Sequence, residues 1–134
     1  MAYDDLFGTI DNCLGVSSYG VIQYTILTND TNPVAIRAVG GVEVSITIFD
    51  VWLIPTTTVG GGTVTINTDI AGGGAAALTD AIAAAVANTV GRAADIDQQT
   101  PQNVVGPADT IEAVRANDGP GGDGAIVYIM FYLT

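Results

Sequence analysis

The sequence predicts a mainly β chain folded as one antiparallel β-sandwich. Three observations predict it. Val, Ile and Thr recur in short runs that alternate apolar with polar positions, as half-buried strands do. Seventeen glycines punctuate those runs and supply turns. A length of 134 residues, 49% of them hydrophobic, suits a single domain with a core of its own.

The elements follow in chain order. Residues 1–18 carry no strand alternation. Leu6, Phe7, Ile10 and Leu14 fall at helical spacing, and Asp4 and Asp5 suit the first turn of a short helix. This stretch is expected to be an N-terminal arm that reaches a neighbour, and residues 19–134 the single β-sandwich domain. Residues 21–28 alternate Ile22, Tyr24 and Ile26 against Val21, Gln23 and Thr25. Residues 29–33 are a turn by composition and residues 34–39 a second strand.

Residues 42–54 say most. Val42, Val44, Ile46 and Ile48 alternate with polar positions, after which the apolar set moves to Phe49, Val51 and Leu53, with Trp52 opposite. A phase change of one residue implies a bulge, or a strand passing from a solvated face to burial on both sides. Residues 63–68 alternate again, so 42–68 reads as a long hairpin or as two strands exchanged between sheets. From 75 to 87 the chain is alanine-rich, with Leu78, Ile82 and Val86 at fourfold spacing after Gly72, Gly73 and Gly74. That predicts one short helix ending at Asn88 or Gly91. Strands are expected at 90–96, at Val104-Val105, at 110–116 and at 125–133, with loops at 97–106 and 117–124. The last strand is apolar on both faces: Ile126, Tyr128, Met130 and Tyr132 on one, Val127, Ile129, Phe131 and Leu133 on the other. Antiparallel sheets commonly leave one face to water. Something must therefore cover the second face, either an element of the same chain or another subunit.

Charge excludes whole classes of function. Fourteen acidic residues stand against three arginines, with no lysine or histidine, for a net charge of −11. Such a chain repels phosphate backbones and anionic membrane surfaces, so neither nucleic acid nor membrane is an expected partner. Without histidine the usual catalytic triads and histidine-bound metals are out, and without lysine so are Schiff bases and phosphate-loop chemistry. Cys13 is alone and forms no internal disulfide. No basic stretch precedes an apolar run, so no signal peptide is expected.

A carboxylate pair for glycoside hydrolysis would have to come from Glu43, Asp50 and Glu112. Asp118 with Asp123, and Asp95 with Asp97, are the closest approach to a calcium loop, and neither has EF-hand spacing. The triple glycines at 60–62 and 72–74 read as turns. No enzyme activity, metal or cofactor is expected. Arg37 and Arg115 lie within strands and need a carboxylate or an interface. Trp52 reads more readily as core than as an interface anchor, whereas Tyr128 and Tyr132 suit either.

The runs "VWLIPTTTVGGGTVTINTDIAGGGAAALTDAIAAAVANTVGRAADID", "VVGPADTIEAV" and "GDGAIVYIMFYLT", about residues 50–134, resemble small structural proteins of tailed-bacteriophage virions. The shared pattern is a strand ending in Ile-Pro, a glycine-threonine strand, an Ala-rich helix and a closing hairpin. The resemblance implies a jelly-roll-like sandwich serving as a non-enzymatic capsid decoration (cement) protein. It implies a place on the outer surface of the capsid, a trimer as the favoured oligomer, and the major capsid protein as partner. It brings no catalytic residues. The expected oligomer or capsid interface comprises Leu6, Phe7, Ile10, Leu14, Tyr128, Met130 and Tyr132. A second expectation is a tail or head-spike protein that binds a host-surface glycan through Tyr19, Tyr24 or Trp52. A third is a small glycoside-processing enzyme built on the carboxylates above.

Overall fold

A computed structural model describes residues 19–37, 45–57, 62–70, 73–84, 86–97, 102–116 and 124–133. The arm, residues 38–44 and the glycine-rich turn at 117–123 lie outside them. Among the described residues ten strands follow one another: β1 (Tyr19–Ile26), β2 (Val34–Arg37), β3 (Ile46–Pro55), β4 (Thr63–Asp69), β5 (Ala75–Ala77), β6 (Ile82–Ala83), β7 (Gly91–Arg92), β8 (Val104–Val105), β9 (Thr110–Ala116) and β10 (Ala125–Leu133). All pairings are antiparallel.

The strands form two sheets. The first runs β1–β10–β3, with the short β7 and β8 both on the far side of β3. The second runs β2–β9–β4, with β5 and β6 both on β4. The pairing is nested: β1 meets β10, β2 meets β9, β3 meets β7 and β8, and β4 meets β5 and β6. The chain is thus one long hairpin folded over on itself, each strand matched with its counterpart from the other arm. Residues 42–68 take the second of the two expected forms, because β3 and β4 belong to different sheets.

The inner faces of both sheets share one core. β3 contributes Ile46, Ile48, Val51 and Leu53, and β10 contributes Ala125, Val127, Ile129 and Phe131. Val64, Ile66, Ile111 and Ala113 face them from the second sheet. The phase change in β3 is a bulge. Phe131 pairs with Ile48 and Met130 with Asp50, so Phe49 is the extra residue. Both backbone groups of Ile48 bond to Asn103: its N–H donates to the Asn103 carbonyl (2.8 Å), and its carbonyl accepts from the Asn103 side-chain amide (3.2 Å). The inward set therefore switches from Ile46 and Ile48 to Val51 and Leu53, and Phe49 turns outward instead of joining the apolar set as its spacing suggested.

The expected helix is not there; no described residue is helical. Gly74, at φ +93°, turns the chain back, and β5 pairs with the end of β4. Leu78 and Thr79 donate their N–H groups to the Ile66 carbonyl, and Thr79 bridges to Ile96. Leu78, Ile82 and Ala84 are buried, while Asp80, Ala81 and Ala83 are exposed. A spacing of four is two strand repeats as well as one helical turn. Pairing with β4 overrides the helix preference of alanine. Val86 leaves the stripe and is exposed. Asn88, expected to end the helix, instead lies in a turn in the left-handed region (φ 64°), and its N–H donates to the Pro55 carbonyl (2.8 Å).

Candidate functional site: the outer face of the first sheet

The two outer faces of the sandwich differ in chemistry. On the second sheet, β4 presents Thr63, Thr65, Asn67 and Asp69, β9 presents Thr110, Glu112 and Val114, and β5 presents alanines. That is an ordinary solvated sheet face. On the first sheet, β10 presents Ile126, Tyr128, Met130 and Tyr132 between Tyr19, Val21, Gln23 and Thr25 of β1 and Ile54, Trp52 and Phe49 of β3. Tyr19 is 60% exposed, Tyr132 42%, Phe49 41% and Val21 38%. Isolated surface hydrophobics need no explanation, but a contiguous band of this kind is a candidate interaction surface.

Register builds the band. Tyr128 stands directly opposite Trp52, and their rings stack at 4.2 Å between centroids, 14° from parallel. The bulge turns Phe49 outward beside Tyr132, where the rings stack at 6.0 Å. Such pairs add about 0.5–1.5 kcal/mol beyond their buried area, so the aromatic surface is held in one arrangement. Trp52 is thus a residue of the outer face, and the core reading of it is corrected. The reason is its place two residues past Asp50, in the phase that the bulge sets.

The band carries little charge. In β1, β3 and β10 the sole charged side chain is Asp50, and it is paired: Arg92 Nε and one of its terminal nitrogens each lie 3.0 Å from an Asp50 oxygen. A fork-shaped pair of this kind neutralises the carboxylate within the sheet face.

The other expected residues distribute as follows. Leu6, Phe7, Ile10 and Leu14 lie outside the described residues, as do Glu43, Asp118 and Asp123. Tyr128, Met130 and Tyr132 come together on the outer face just described, and Tyr24 faces inward, half-buried. Asp50 and Glu112 sit on outer faces of opposite sheets, so these two carboxylates flank no common cleft. Among the described residues no three His, Cys, Asp or Glu side chains gather as metal ligands, and no helix is long and apolar enough to cross a membrane.

Two strand arginines are structural. Arg115, 3% exposed, donates to the carbonyls of Leu27 (3.3 Å) and Asp30 (2.5 Å), binding the turn after β1. Arg37 donates to the Gly106 carbonyl (3.0 Å). Burial pushes its guanidinium below its ordinary pKa, and the nearby Asp109 charge opposes that shift. Sequence reasoning missed the use made of the aspartates. Asp30 accepts from Leu27 N–H, Asp69 from Gly74 N–H, Asp109 from Gly106 N–H, and Asp80 from both Ala94 and Asp95 N–H. Part of the acidity is turn chemistry. The signal that could have found it is the spacing of three between Leu27 and Asp30 and between Gly106 and Asp109.

No protein-family profile matches the chain, and no curated protein is significantly similar to it.

Proposed function

We propose that the protein is a non-enzymatic virion structural protein, a capsid decoration protein of a tailed bacteriophage. In this reading it sits on the outer surface of the head and binds neighbouring subunits of the major capsid protein. The observation that carries the reading is the contrast between a polar outer face on one sheet and an aromatic, nearly charge-free outer face on the other. A face of that kind supports assembly, because covering a large apolar side chain contributes about 1.5–3 kcal/mol. The nested strand pairing supports the finer reading of the fold as a jelly roll, with four antiparallel pairs wrapped into two sheets. The sequence resemblance supports the viral setting and favours a trimer.

The test is co-sedimentation with empty phage heads. The wild-type protein should pellet with assembled shells and not with free coat subunits. The pair Trp52→Ser and Tyr128→Ser should abolish pelleting while far-UV circular dichroism stays that of a β protein. A wild-type protein that ignores shells overturns the proposal. The stacked Trp52–Tyr128 pair beside Asp50 and Arg92 also suits a sugar ring, stacked on the aromatics and hydrogen-bonded at the rim. A tail or head-spike protein that binds a host glycan is therefore the second reading, and a glycan array showing selective hits lost in the same double variant would favour it.

A further inference from the structure

The four sheet edges are not alike. In the second sheet one edge is β2, four residues long, preceded by Pro33 and broken by a register shift between Ala35 and Arg37. The opposite edge is split into β5 and β6, of three and two residues. In the first sheet the edge beyond β3 is split into β7 and β8, of two residues each. Short strands, proline and bulges are the means by which native sheets discourage edge-to-edge pairing. β1 has none of them. It runs for eight residues, YGVIQYTI, with no charge, no proline and an unbroken register against β10. Among the described residues it pairs on that side alone.

We infer that the outer edge of β1 is a pairing edge for β1 of a second copy of this chain, extending the first sheet across a two-fold axis. Three observations select a second copy as the occupant. First, charge: in a chain of net charge −11, copies approach one another most easily where charge is absent. β1 is uncharged and the nearest strands hold only the neutralised Asp50. Second, symmetry: an antiparallel edge is self-complementary about a two-fold, which is the commonest closed symmetry. Third, side-chain fit. Keeping outward residues outward requires an odd-numbered residue to meet an odd-numbered one. The two longest such overlaps centre on Ile22 or on Gln23. Centred on Ile22, Gly20 lies opposite Tyr24 and makes room for its ring, and Val21 lies opposite Gln23.

The axis stands perpendicular to the sheet, so both aromatic faces end on the same side. A pair could then dock on a shell through two faces at once, which raises avidity with no new contact. The pairing itself does not depend on what those faces bind. It requires an even number of copies: two, or six where the three-fold implied by the resemblance also operates.

The test uses the full chain. Native mass spectrometry should give an even multiple of the 13.6 kDa chain. Exchange of β1 amide hydrogens should slow as protein concentration rises. The double variant Val21→Lys and Gln23→Lys places like charges opposite each other across the axis. It should halve the mass and speed β1 exchange, with β10 amides still protected. A monomer or an isolated trimer, β1 protection independent of concentration, or a double variant of unchanged mass would each overturn the inference. Val21 and Gln23 also lie on the outer face, so mass and β1 exchange, and not pelleting with heads, decide the inference for this variant. If it never pairs differently from wild type while Trp52→Ser and Tyr128→Ser abolishes pelleting, only the edge inference fails.

Discussion

At the scale of single residues, two side chains complete what the backbone cannot. Asn32 lies just outside β2, yet its amide pairs with β9 as a peptide group would. Its oxygen accepts from Arg115 N–H (2.9 Å) and its nitrogen donates to the Arg115 carbonyl (2.8 Å). The Arg115 guanidinium then holds the turn through the Leu27 and Asp30 carbonyls. One residue thus ties β9 to the β1–β2 connection by its backbone and its side chain. Replacing Asn32 by Ala removes both amide bonds and should lower unfolding free energy by about 1–3 kcal/mol. Asn32→Asp should cost a comparable amount, because a carboxylate cannot donate to the Arg115 carbonyl. Arg115→Met leaves the part-buried Leu27 and Asp30 carbonyls without their charged donor and should cost about 2–4 kcal/mol. Urea unfolding of the three variants against wild type checks the order, and an Asn32→Asp midpoint equal to wild type would show that the donated bond carries no weight.

At the scale of elements, the stretch from 73 to 92 separates what the sequence discloses from what it does not. The strands β1, β3, β4 and β9 were legible through alternation and the turns that bound them, β10 as a short run apolar on both faces, and the β3 bulge as one of two readings of a phase shift of one residue. The alanine-rich stretch was not. Leu78, Ile82 and alanines at even spacing satisfy a helix and a strand alike, and only the partner strand β4 decides between them. Nor could the sequence show which outer face would be aromatic, since Trp52 and Tyr128 become neighbours only through the β3–β10 register. Two substitutions test the strand assignment. Ala77→Thr, exposed and opposite Asn67, should leave stability unchanged or raise it by up to about 1 kcal/mol, as β-branching favours strands. In a helix the same change would be destabilising. Gly91→Ala should destabilise by about 1–3 kcal/mol, because a Cβ there would lie 2.6 Å from the Ala83 carbonyl oxygen and 2.8 Å from Ile82 Cγ2. Thermal melts of both variants give the sign directly.

At the scale of the whole molecule, the charge and the apolar face pull association in opposite directions, and salt tells them apart. The chain carries −11 overall, so two copies repel one another at long range. Their contact along β1 and any contact through the Tyr128 face are uncharged. Raising salt from roughly 10 mM to roughly 150 mM shortens the screening length from about 30 Å to about 8 Å. That removes the repulsion between copies and leaves the burial of apolar surface intact. Self-association should therefore tighten severalfold over this range, as measured by sedimentation equilibrium. Head binding through the aromatic face should hold or tighten as well. Docking that relied on the acidic residues meeting a basic surface would instead weaken steeply, since salt screens attraction as readily as repulsion. Head binding that falls with salt while self-association rises would assign the coat contact to the aspartates in the turns and leave the aromatic face to some other partner.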